Sequence, residues 1–196
     1  MGDIKSAWEI AMEKIEKLGG VTDEERLKWK YVPEGENLAV KYIKGDCDLA
    51  AELKIYDEKA RKPVTDGANG VLVRNISLPK NELSKRDSRK AMDGLKILKD
   101  DKVAVENVYS KIRRIFEHYA GQGEQQRRQA YESLKAEVGD KLQQAMQQQL
   151  GSFAKVNIDV ESQPQFQDQW RKLQTQMDLQ YIQHLDEYKQ ELLSIS

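Results

Sequence analysis

The chain has 196 residues, 33% of them charged, and a net charge of -1. So balanced a charge gives no whole-molecule field to draw it onto nucleic acid or anionic lipid, and a single cysteine excludes a disulfide framework within the chain. Leu, Ile, Val and Phe make up 45 residues, or 23%, just above the level at which chains stay disordered, so the core is thin and elongated helices are favoured over a compact sphere.

The first expected helix opens at Asp3, a good N-cap. Ile4, Ala7, Trp8, Ala11, Ile15 and Leu18 recur at steps of three and four and mark its inner face. Gly19-Gly20 ends it. Thr22-Asp23-Glu24-Glu25 reads as a capping box, in which Thr22 and Glu25 satisfy each other's backbone N–H groups. The helix it opens carries Leu27, Trp29 and Tyr31 and is expected to stop before Pro33, because proline disfavours helical backbone in the residue before it. A further short helix spans residues 34–44, with Gly45 as terminator. Asp46 or Asp48 caps the next, through Leu49, Leu53 and Tyr56 to about Arg61.

Residues 63–70, PVTDGANG, have the composition of a linker. Val71-Leu72-Val73 fits a short strand or an apolar anchor, and Pro79 closes the region. Two helices are expected over residues 81–120. The first has Asn81 as cap and a ragged stripe of Leu83, Ala91, Leu95 and Leu98. The second opens at Asp100-Asp101 with a heptad seam of Val105, Val108, Ile112, Ile115 and Tyr119. Gly121-Gln122-Gly123 breaks it.

Composition then shifts, since all 18 glutamines lie after residue 121. Residues 124–150 read as a long helix. Val156, Ile158 and Val160 alternate with polar residues as a short extended segment would. The final helix, about 163–193, has Pro164 in its first turn and a stripe of Phe166, Trp170, Leu173, Met177, Tyr181, Leu185, Tyr188, Leu192 and Ile195. The mean step of that stripe is close to the 3.6 residues of a straight helix.

Groups that do chemistry are sparse. His118, His184 and Cys47 stand far apart and in no motif, and a general base needs an orienting partner. Cys47 lies between Asp46 and Asp48, and negative neighbours make a thiol a poor nucleophile. Gly67-Ala68-Asn69-Gly70 lacks the lysine and hydroxyl of a phosphate loop. No ligand set for a metal and no cofactor motif is evident, so an enzyme is not expected. Residues 80–99 hold seven basic and three acidic groups. Lys85, Arg86, Arg89 and Lys90 there form a cluster of cations, and Arg113-Arg114 and Arg127-Arg128 add two more pairs. Clustered cations of this kind would bind phosphate, and they are equally an ordinary solvated face. The Met1-Gly2 start fits a myristoylation pattern, and Asn75-Ile76-Ser77 an N-glycosylation acceptor; neither has a setting that gives it meaning.

Residues 4–14, IKSAWEIAMEK, followed by TDEER at 22–26, resemble the opening of a group of small uncharacterised bacterial proteins over about residues 3–27. The resemblance implies a bacterial, soluble, all-helical protein of unassigned role.

The expected fold is all-α: an elongated helical bundle with a long C-terminal antiparallel hairpin, and one minor β pair if 71–73 and 156–160 meet. The expected organisation is a cluster of short helices (1–62), a linker (63–80) and a long-helix bundle (81–196). No apolar run is long enough to cross a membrane and the N-terminus has no secretory leader, so a cytoplasmic setting is expected. The function read from this is a non-enzymatic interaction or scaffold protein, with Phe166, Trp170, Met177, Tyr181 and Tyr188 as anchors for a protein partner or a second copy. The alternative is a nucleic-acid accessory protein acting through Lys85, Arg86, Arg89, Lys90, Arg113 and Arg114.

Overall fold

A computed structural model describes residues 22–150 and 159–195. The first expected helix, most of the segment 156–160 and the Met1-Gly2 start fall outside them. Seven helices run in chain order among the described residues: α1 (Asp23–Lys44), α2 (Leu49–Leu53), α3 (Glu58–Asn75), α4 (Glu82–Leu98), α5 (Lys102–Ala120), α6 (Gln122–Leu150) and α7 (Pro164–Ser194). The fold is all-α. The chain divides into two compact units. One holds residues 22–76 and 89–100 of the described chain, the other residues 77–88, 101–150 and 159–195.

Helix starts follow the sequence. Thr22 and Glu25 form the reciprocal capping box at α1. Asp48 caps α2 and Asp101 caps α5, each accepting from first-turn N–H groups. Asn81 Oδ1 accepts from the N–H of Ser84 at 2.8 Å and so caps α4. Gly45 ends α1 with φ at 94°, the left-handed conformation that glycine adopts without a Cβ clash.

In the first unit three expectations are corrected. The helix expected from Asp46 or Asp48 to about Arg61 ends at Leu53, and a new helix capped by Asp57 opens at Glu58. The other two share a cause. Helix α1 does not stop at Pro33 but runs through it to Lys44. Residues 63–70 are no linker and Val71–Val73 no strand: all lie within α3. One contact between helices explains both. A β-carbon on Gly35 would stand 1.9 Å from the Val64 carbonyl oxygen, and one on Gly67 would stand 2.2 Å from that of Val32. The two backbones therefore meet where each helix has a glycine. The apolar packing gained there sustains α1 past the hydrogen bond that Pro33 cannot donate. Leu38, Ala39, Val64, Ala68, Leu72 and Val73 are buried around it. With Val71–Val73 helical, the minor β pair is absent on that side.

In the second unit α5, α6 and α7 each pack on the other two. Tyr131 of α6 stacks edge-on against Phe166 and Trp170 near the start of α7, with ring centroids 5.3 and 5.0 Å apart. Tyr119, at the end of α5, meets Tyr181 in mid-α7. Lys111 of α5 meets Glu191 near the end of α7. As α7 advances, its partners recede along α6 and then α5, so α7 runs antiparallel to both. The hairpin expected at the C-terminus is there, and α7 extends beyond it along α5. The expected break at 121–123 narrows to Gly121 alone, since α6 begins at Gln122. Val105, Val108, Tyr109, Ile112, Tyr119, Val138, Phe166, Leu185 and Leu192 make the core.

Candidate functional site

The α7 stripe divides. Phe166, Leu185 and Leu192 are buried, while Trp170, Leu173, Met177, Tyr181 and Tyr188 stay partly open. Met177, Tyr181 and Tyr188 lie along one cleft of about 720 Å³, with Ile115, Leu173 and Gly123. Phe166 and Trp170 do not reach it; they pack on Tyr131. The expected anchors thus split into three cleft residues and two that join α7 to α6.

The polar side of the cleft is basic. Lys111, Arg114, Arg127, His118 and His184 line it, and no carboxylate does. Lys111 Nζ spans both carboxylate oxygens of Glu191 at 2.9 Å and lies 5.4 Å from the centre of the Tyr188 ring. His118 Nδ1 and Tyr181 Oη share a hydrogen bond of 2.9 Å.

At the α5–α6 corner sits Arg127, which is only 9% exposed. Its guanidinium stacks on Tyr119, 3.9 Å from the ring centre. Nη2 donates to the Tyr119 carbonyl oxygen at 2.9 Å and to Glu124 at 2.8 Å. Nη1 is buried and has no acceptor.

Arg127 also lines a second cleft of the same unit, with Lys80, Lys85, Tyr119, Glu124 and Asp178. Buried Asp178 accepts from Lys80 Nζ at 2.5 Å. Burial, and then the Asp178 carboxylate, push the Tyr119 phenol up to about 12, against the pull of Arg127.

The nucleic-acid candidates lie on two helices, Lys85, Arg86, Arg89 and Lys90 on α4 and Arg113 and Arg114 on α5. Lys85 is held by Glu82 at 2.6 Å and Arg86 by Asp87 at 2.9 Å. Lys90 lies over the Tyr42 ring. Arg89 and Lys90 fall in the first unit, Lys85 and Arg86 in the second. Arg113 is held by Glu106. Arg114 alone of the six lines the cleft, together with Met177, Tyr181 and Tyr188.

Sequence reading missed Gly123 and the buried role of Arg127. Gly123 was one of three residues read as a helix break, and Arg127 one of a surface pair. Tyr119 eight residues earlier is the relevant signal, visible only once the Gly121 corner brings it under the guanidinium.

Burial, with Glu52 nearby, pushes the Cys47 thiol up, away from a reactive thiolate. Its Sγ donates weakly to the Leu38 carbonyl oxygen at 3.8 Å. Among the described residues no group of three or more His, Cys, Asp or Glu is placed to hold a metal ion. No helix among them is long and apolar enough to cross a membrane.

Residues 50–194 match DUF6657, a family of unknown function. The chain belongs to that family. The DUF6657 match takes in both clefts but not the N-terminal segment 3–27. No curated protein and no solved structure matches the chain.

Proposed function

We propose that this DUF6657 member is a non-enzymatic interaction protein, and that the α5–α6–α7 cleft receives an acidic amphipathic helix of a partner protein. The observation that carries the reading is the placement of Met177, Tyr181 and Tyr188 along an open cleft whose charged lining residues are all basic. Aromatic and methionine side chains suit a surface that exchanges water for a partner's apolar face. Lys111 and Arg127 are already paired with Glu191 and Glu124, so of the lining cations Arg114 suits a partner that carries an acidic residue beside its apolar stripe. A helix laid into the cleft would set its apolar face against Ile115, Met177 and Tyr188. The resemblance of residues 3–27 to bacterial proteins supports a bacterial, cytoplasmic setting.

The nucleic-acid alternative draws less support, because Lys85, Arg86 and Arg113 are each already held by a carboxylate. Affinity for phosphate comes from clustered cations that are free to release counterions.

The test compares capture from nuclease-treated bacterial lysate by the native chain, Met177→Asp and Tyr188→Ser, all with native circular dichroism. A protein captured by the native chain and lost from both variants is the expected result. Equal capture by all three, or capture of nucleic acid alone from untreated lysate, overturns the reading.

A further inference from the structure

The corner between α2 and α3 holds one isoleucine out in solvent. Ile55 is 76% exposed, more than any other large apolar side chain among the described residues. The backbone beneath it is fixed. The Lys54 and Ile55 N–H groups donate to the Ala51 and Glu52 carbonyl oxygens, each at 3.2 Å. Arg61 Nη2 donates to the Tyr56 carbonyl oxygen at 3.3 Å, and the Tyr56 ring stands edge-on to Tyr31 of α1. Asp57 then caps α3. A side chain on a fixed backbone has little freedom left to lose when it docks. Its surroundings are acidic: residues 46–57 hold Asp46, Asp48, Glu52 and Asp57 against Lys54 alone. The lysines that follow, Lys59 and Lys62, line a separate groove with Glu24 and Asp66.

A single exposed apolar residue is ordinary by itself, but the second cleft has the complementary character. It encloses about 540 Å³, room for an isoleucine side chain. Leu179 and Ile182 of α7 line it and are still 48% and 38% exposed. Its two carboxylates, Asp178 and Glu124, are taken by Lys80 and Arg127, and Lys85 is held by Glu82. Arg171 is held loosely: its partner Asp168 stands 3.9 Å away, both side chains are exposed, and Asp168 does not line the cleft. Exposed pairs of that kind are weak, so an incoming carboxylate readily replaces Asp168.

We propose that the second cleft receives the Ile55 corner of a second copy of this chain, with Ile55 against Leu179 and Ile182 and the carboxylates of the corner beside Arg171. Corner and cleft are different surfaces, so the contact is heterologous and repeats from copy to copy. It is small, hence weak and transient, and salt screens its charged part. It is independent of the α5–α6–α7 cleft above, since Met177 does not line the second cleft.

The experiment is sedimentation velocity of the full chain over a dilution series. The native chain is expected to sediment faster as its concentration rises, and less so at high salt. Ile55→Asp and Leu179→Asp, both at exposed positions and checked for native circular dichroism, are each expected to sediment as monomers at every concentration. Their equimolar mixture holds one intact corner and one intact cleft, on different chains. It is expected to associate again and to stop at dimers. Arg171→Glu, at a side chain too exposed to disturb the fold, is expected to weaken association about ten-fold. Met177→Asp is expected to leave it unchanged. A native chain that stays monomeric, association that survives Ile55→Asp or Leu179→Asp, or two monomeric variants whose mixture does not associate overturns the proposal. Loss of association in Met177→Asp also overturns it, because the second copy then sits in the first cleft.

Discussion

Gly67 of α3 lies so close to Val32 of α1 that a β-carbon on it would stand 2.2 Å from the Val32 carbonyl oxygen. Gly35 of α1 makes the reciprocal approach to Val64, at 1.9 Å. These are backbone contacts, so no rotamer change relieves an added methyl group. Gly67→Ala and Gly35→Ala are each expected to cost about 1–3 kcal/mol or more, the range for overpacking a tight site. Gly70 is an internal control in the same helix, because a β-carbon there meets nothing within 4 Å. Gly70→Ala is expected to stabilise by about 0.5–1 kcal/mol, through helix propensity alone. Urea unfolding of the three variants checks this. Equal effects at 67 and 70 would show that the crossing does not hold α1 against α3.

The same glycines show where sequence reading loses its grip. Pro63, Gly67 and Gly70 within eight residues have a local meaning, a turn, and a tertiary one, a close helix crossing. Only the partner helix tells the two apart. Caps were legible because they are local: Thr22 with Glu25, Asp48, Asn81 and Asp101 need nothing beyond the next turn. The α7 stripe was legible because its period is a property of one helix. What the period does not encode is which stripe residues the neighbours cover. Leu185 is covered, and Met177, four and four residues before it, is left on the cleft. Arg127 was opaque for a related reason, since its burial depends on a corner at Gly121 that carries α6 past the end of α5.

The Lys80–Asp178 pair is asymmetric. The Lys80 side chain is 54% exposed and that of Asp178 only 8%. Removing the lysine leaves a buried carboxylate with the Tyr119 phenol but no counter-charge, whereas removing the carboxylate returns an exposed ammonium to water. Lys80→Ala is therefore expected to cost about 1–3 kcal/mol, as a buried charged group losing its partner does. Asp178→Asn is expected to cost clearly less. Denaturant melts of the two variants under one buffer decide it; a larger loss for Asp178→Asn would mean that the carboxylate is anchored by something other than Lys80.

Tyr119 gives a pH signature. Its phenol is raised from 10.0 to about 12 by burial and by Asp178. In that window the unfolded chain releases the proton while the folded chain keeps it, so stability falls as pH rises between the two values. Below the lower one Tyr119 contributes no pH dependence. Tyr119→Phe is expected to flatten the decline over that window, and Asp178→Asn to move the Tyr119 step downward. Phenolate absorbance against pH reads both: the native chain should show a late-titrating tyrosine that Tyr119→Phe removes. Loss of an early step instead would overturn the assignment.

The division of the α7 stripe makes the last prediction. Leu185 is 2% exposed, on the buried face of α7. Leu185→Ala is expected to cost about 2–5 kcal/mol, the transfer term plus the cavity left behind. Met177 and Tyr188 already face the cleft, so truncating them opens no sealed cavity and leaves their solvent side unchanged. Met177→Ala and Tyr188→Ala are each expected to cost about 1 kcal/mol, the centre of the range for single substitutions. Tyr188→Ala also frees Lys111 from the ring that it overlies, and Lys111 keeps Glu191 as its partner. The two classes should then separate in opposite directions, with Leu185→Ala impairing folding and the cleft variants impairing partner binding at near-native stability. Thermal melts paired with binding measurements on the same preparations test it. If Met177→Ala and Tyr188→Ala destabilise as much as Leu185→Ala, these side chains are core, and the cleft they line closes in solution.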